Sequence, residues 1–146
     1  MRIILVLVML IAFAPGTARA WSEPARGSAT RSALMDAIRP HAEWMLGTPV
    51  EFVVHELRVA GPLAFASLWP QRPGGGQIDL RTTPAYYRNE IHPDDMDGIG
   101  MQALYYRSGQ TWVAVHWAMG ATDVWYAYEP ICAVWRPVIP EACQGM

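Results

Sequence analysis

An α+β fold, with one N-terminal helix packed on a curved antiparallel sheet of four or more strands, follows from three features of the sequence. The first is Met101–Met119, MQALYYRSGQTWVAVHWAM, where two alternating runs rich in Val, Tyr and Trp flank Ser108-Gly109. Gly109 tolerates the positive φ of a tight hairpin, so the segment reads as two paired strands. The second is a similar pair of runs, Val50–Val59 and Pro62–Trp69, about Ala60-Gly61. The third is a stripe of Leu34, Ala37, Ile38, His41 and Met45, with Trp44 at its margin, recurring at three- and four-residue intervals. That is the period of a helix with one buried face.

The chain opens with Arg2, an apolar run Ile3–Phe13, then Pro15-Gly16 and the small-residue triplet Ala18-Arg19-Ala20. This is the order of parts in a secretory signal peptide, residues 1–20, with the cut expected after Ala20. The apolar run is too short to span a bilayer, which takes roughly 20 residues. No cysteine follows the cut to carry a lipid. Export to the periplasm or beyond a Gram-negative-type envelope is the expectation, with no stable membrane insertion afterwards. Without Arg2 and Arg19, the remaining 9 arginines face 13 carboxylates, a net charge of −4. An acidic surface argues against nucleic acid as a partner, because phosphate binding draws on clustered positive charge.

Residues 21–27 read as a flexible arm and residues 28–146 as a single domain. Ser28 or Thr30 caps the first helix, since either hydroxyl can accept from a free N–H of the first turn. Pro40 interrupts the hydrogen-bond ladder, so the stripe is one kinked helix ending at Gly47 or two shorter ones. Pairing the first hairpin about Ala60-Gly61 puts Val53, Leu57, Val59, Ala64, Ala66 and Leu68 on the helix side, with His55 among them. Pairing the second about Ser108-Gly109 sets Tyr105 opposite Trp112, Ala103 opposite Ala114 and Met101 opposite His116. A slip of one residue would exchange the faces. Pro70–Gly76, PQRPGGG, is a loop. Thr83-Pro84 starts a short helix, Ala85–Ile91, between the hairpins. Thr122 or Asp123 caps a helical turn bearing Trp125, Tyr126 and Tyr128. The tail from Pro130 is expected to be irregular.

Cys132 and Cys143 are the chain's two cysteines. In an exported protein one disulfide is the simplest reading, with free thiols as the alternative.

Chemistry-bearing motifs are few. None of the four histidines stands at zinc-site spacing, so no metal site is expected. His55 and His116 each lie mid-strand beside alanines. Were both to turn into one cavity, with Asp123 or Glu56 to orient them, acid–base work would be open to them. The plainer reading is two half-buried imidazoles bonded to backbone or water. Asp94-Asp95-x-Asp97-Gly98 resembles part of a calcium loop, but no glutamate closes it, so an acidic solvated loop is expected. Arg72 with Gly74–Gly76 lacks the lysine and Ser/Thr of a phosphate loop. No G-x-S-x-G occurs. Seven tryptophans and six tyrosines remain. Tyr105, Trp112, Trp125 and Tyr126 are the candidates for a ligand or partner surface, with core filling as the other reading.

The layout as a whole is similar to the cystatin-like or NTF2-like α+β architecture. Gly47–Val59 (GTPVEFVVHELRV), Pro70–Gly76 and Gly120–Val124 (GATDV) also resemble a group of uncharacterised exported bacterial proteins. The resemblance covers Ser28–Val124 and implies a fold alone, because such folds host isomerases, dehydratases and non-catalytic binders. The expected function is a non-catalytic module binding a small ligand or periplasmic protein, of which an inhibitor or immunity role is one form, without a cofactor. The alternative is an NTF2-like enzyme using His55, His116 and Asp123.

Overall fold

A computed structural model describes residues 20–146. The expected signal peptide lies, but for Ala20, outside the described residues. Helix α1 (Ala29–Leu46) leads into strands β1 (Glu51–Ala60) and β2 (Leu63–Gln71). A one-turn helix α2 (Pro84–Tyr87) follows, then strands β3 (Met101–Ser108) and β4 (Thr111–Met119), and helix α3 (Glu129–Trp135). The strands form one sheet in the order β1-β2-β3-β4, every neighbour antiparallel. The architecture is the α+β arrangement that the sequence implies.

Ser28 is the residue that caps α1, its Oγ accepting from the Arg31 N–H at 3.2 Å. Pro40 stands inside the helix without ending it. It lies on the exposed side, as does Asp36, whose carbonyl loses its i+4 donor to the proline. Gly47, at φ 79°, closes the helix. Leu34, Met35, Ile38 and Leu46 are buried against the sheet, which stabilises by roughly 6–12 kcal/mol before chain entropy is subtracted. Helix α2 is shorter than expected, because Asn89 takes a left-handed φ of 57° two residues after its end.

Both hairpins turn one residue later than expected. Ala60 pairs with Leu63 and Ser108 with Thr111. Gly61 and Gly109 thus take the first loop position, where primed hairpin turns need a positive φ. Moving a loop by one residue shifts each cross-strand partner by two, which leaves the faces unchanged. Tyr105 accordingly pairs with Ala114, and Ala103 and Trp112 still share its side.

Two β-bulges do exchange faces. In β1 the register shifts between Val54 and Glu56, leaving His55 as the extra residue. In β4 the shift opposite Leu104 and Tyr105 leaves Val115 extra. Past the first bulge Phe52 and Val54 pack toward the helix, and Val53, expected in the core, is 42 % exposed. Past the second, Trp117 takes the place expected for His116 and meets the His41 ring at 5.1 Å. A strict two-residue period cannot register an inserted residue.

The tail is not irregular throughout. Helix α3 and a 3-10 turn at Pro140–Cys143 cover part of the second sheet face. Ile131, Trp135, Val138 and Ile139 bury Phe65 and Leu104 there. Cys132 and Cys143 form the expected disulfide, with Cα atoms 5.5 Å apart. Arg58 on β1 ties the layer down. It donates to the Val138 carbonyl at 3.0 Å, pairs with Glu141 and Glu56, and lies 4.9 Å from the Trp21 ring.

Candidate functional site

His55 and His116 do not meet. One lies on β1 and the other on β4, the opposite edges of a four-stranded sheet, and both side chains are exposed. Three strand spacings separate such edges by about 14 Å, beyond the reach of a shared proton or metal ion. His116 is instead packed edge-on against the Trp135 ring at 5.2 Å. Asp123 is exposed beyond β4 and lines a separate hollow with Glu90, His92 and Asp95.

The four aromatic candidates divide. Tyr105 is 0 % exposed and Trp112 is also buried, so neither can present a surface. The alanines that neighbour them, Ala64, Ala66, Ala103 and Ala114, leave the room these rings fill. Burial pushes the Tyr105 hydroxyl well above the ordinary tyrosine range. Trp125 and Tyr126 are half-buried beside the tail. Trp125 Nε1 donates to Gln102 Oε1 at 3.4 Å, and the Tyr126 ring meets Phe65 at 5.1 Å. Burial, then the charges of Glu56 and Glu141, raise the Tyr126 hydroxyl as well.

The two loops that suggested ions are engaged by the fold. Arg72 donates through Nη2 to the Leu46 carbonyl at 2.7 Å and through Nη1 to the Pro49 carbonyl at 2.9 Å. A further bond from Nη1 reaches the Gly47 carbonyl. This guanidinium closes the C-terminal end of α1, where the dipole favours positive charge. Asp94 pairs with Arg81 at 2.8 Å. Among the described residues no three metal-ligating side chains, those around the Asp123 hollow included, stand close enough together to hold a metal ion.

A different residue organises the open end of the second sheet face. Strand β2 runs past its last β3 partner at Leu68, so Trp69 projects beyond the β2–β3 ladder and is 43 % exposed. Its benzo edge lies on the backbone of Gly98 and Gly100. A Cβ added at Gly98 would come within 3.1 Å of the ring, and one at Gly100 within 3.7 Å. Glycine is therefore what lets the loop touch the indole.

Hollows open on both sides of that ring. One of about 430 Å³ is lined by Trp69, Gln71, Gln77, Ile78 and Ile99 together with the Gly75-Gly76 backbone. The other, of about 400 Å³, is lined by Trp69, His55, Ser67, Asp97 and Gln102. The side chains of Trp69, His55, Ser67, Asp97, Gln71 and Gln77 make no hydrogen bond among the described residues. Among the described residues no arginine lines either hollow. An aromatic plate with unused donors and acceptors on both sides can hold a polar ligand that has one apolar face. Trp69 carries no catalytic or metal-ligating spacing, so motif and periodicity do not single it out. The usable signal was a tryptophan at a strand end, before Pro70, with amides and glycines clustered in the loops on either side.

Comparison with known proteins finds no matching family model, no matching curated protein and no matching solved structure.

Proposed function

We propose that this chain is an exported, non-catalytic binding module that holds a small polar ligand in the cleft at Trp69. The observation that carries the reading is the half-exposed indole, seated on two glycines, with five polar side chains beside it that bond to nothing else among the described residues. The indole, seated on the Gly98 and Gly100 backbone, is in place before a ligand arrives, which lowers the entropy cost of binding. The disulfide suits an oxidising compartment, in keeping with the signal-like start of the chain. The order of helix and meander is read as cystatin-like or NTF2-like.

An acid–base enzyme of the NTF2-like kind needs a chamber between helix and sheet. That space is filled by Leu34, Ile38, Leu57, Met101, Tyr105 and Trp112, which favours binding over catalysis. The test is to isolate residues 21–146 from the native envelope and identify what travels with them by native mass spectrometry. Loss of the co-purifying molecule in Trp69→Ala is the expected result. A molecule retained undiminished by that variant would place the binding site elsewhere and overturn the proposal.

A further inference from the structure

We infer that the ligand of this cleft is a neutral oligosaccharide, laid across the Trp69 indole with sugar units in the hollows on both sides. The inference rests on the binding-module reading and adds the chemical class. A pyranose ring presents a face of C–H bonds, made slightly positive by the neighbouring oxygens, with hydroxyls around its rim. The indole face carries the negative end of its quadrupole and attracts such a C–H face. Hydroxyls both donate and accept, and so do the amides of Gln71 and Gln77 and the hydroxyl of Ser67, while Gln102, whose Oε1 accepts from Trp125, keeps its amide N–H groups to donate. Asp97, an acceptor when ionised, suits a ligand rich in O–H donors.

Charge narrows the class. Phosphate, sulfate and carboxylate groups are recognised chiefly by guanidinium and ammonium groups, and neither hollow has an arginine in its lining among the described residues. The chain contains no lysine at all. An anion is thereby disfavoured; a cation would meet a single carboxylate, Asp97, among three amides and a serine hydroxyl, so a neutral ligand fits the lining best. The position of Trp69 in both linings indicates length, because a single sugar would fill one side and leave the other to water. The two hollows, about 430 and 400 Å³, are open clefts and not closed cavities, which suits a chain that runs on past either end.

An extended peptide is the rival occupant, and the cleft fits it less well. A peptide added to a sheet takes its affinity from main-chain hydrogen bonds to a free edge. Beyond Leu68 the exposed side of β2 offers Pro70, which has no N–H to give.

The test uses residues 21–146 with the disulfide intact. N-acetylated chito-, cello- and malto-oligosaccharides of one to six units are titrated by calorimetry and followed through the indole N–H signals by NMR, with the Trp69 signal assigned from Trp69→Phe. At least one series should shift that signal, with affinity rising tenfold or more from the monomer to the trimer. Trp69→Ala should lower affinity tenfold or more, and Trp69→Phe should restore most of it. Gln71→Ala and Gln102→Ala should each weaken binding severalfold, which would place contacts on both sides of the ring.

Equal affinity for monomer and trimer would overturn the two-sided arrangement. The absence of any Trp69 shift with all three series would overturn the sugar assignment. If a pool of random heptapeptides then shifts the Trp69 signal, the cleft binds peptide: the sugar assignment fails and the binding module stands. Sugar binding that Trp69→Ala leaves unchanged would overturn the site itself.

Discussion

The indole of Trp135 donates its N–H to the backbone carbonyl of Tyr105 at 3.0 Å, from the sheet face opposite the one that buries the Tyr105 ring. The bond lies where the β3–β4 register shifts. One residue of β3 thereby couples the two layers on either side of the sheet. Trp135→Phe keeps an aromatic ring at the site but leaves a buried carbonyl without this donor. The expected cost is about 1–3 kcal/mol, read as a lower urea midpoint with an unchanged slope.

Tyr105 itself predicts the opposite sign. Its hydroxyl is buried and has no hydrogen-bond partner among the described residues. Tyr105→Phe removes a polar atom that folding strips of water without replacement, and should raise stability by up to about 1–2 kcal/mol. A loss of stability in that variant would mean that the hydroxyl has a partner.

The same hydroxyl sets an alkaline limit. Burial holds its pKa above the ordinary value near 10. The folded state therefore keeps a proton that the unfolded state releases, and the associated stability is full below about pH 10 and lost as the pH climbs above it. Denaturation midpoints should fall more steeply above that pH in the wild type than in Tyr105→Phe. Tyr126, shifted in the same direction, should leave a smaller residual slope in the variant.

The disulfide closes a short loop, with its cysteines 11 residues apart. Replacing both with alanine should cost roughly 3 kcal/mol on the chain-entropy model. Because Cys132 and Cys143 sit in the apolar layer over Phe65 and Leu104, loosening the tail should also expose that face. Increased binding of a hydrophobic dye before global unfolding would report it.

Gly98→Ala tests the support beneath Trp69. The position has φ 71°, and the new methyl would stand 3.1 Å from the ring. A left-handed alanine costs about 1–2 kcal/mol, and the indole must move. Displacement of the Trp69 indole signal, with the other six in place, is the expected spectrum.

The fold was legible where periodicity and turn chemistry agreed. The stripe from Leu34 to Met45, the capping Ser28, the closing Gly47 and both hairpins follow from spacing and from glycine. The bulges were not legible, since nothing in residues 53–57 or 113–117 marks which one stands outside the ladder. They account for the misplacement of Val53 and His116. The tail misled for another reason. Its prolines suggest disorder, yet Pro130 and Pro140 occupy first-turn positions where a missing N–H costs nothing. As for the cleft, its walls come from β1, β2, β3 and three loops, from His55 through Ser67 and Gln102 to Ala121. Such a juxtaposition is a product of the register and leaves no local trace.

Both outermost strands carry an inserted residue near the middle, and β1 is further occupied at its ends. Ser22 exchanges two backbone bonds with Val59, and Arg39 takes the Val50 carbonyl. Interrupted rims of this kind offer an incoming strand no long straight run of free N–H and C=O groups. A concentrated solution of the folded chain should accordingly resist stacking into fibrils, despite valines at positions 113 and 115 that face water on the last strand.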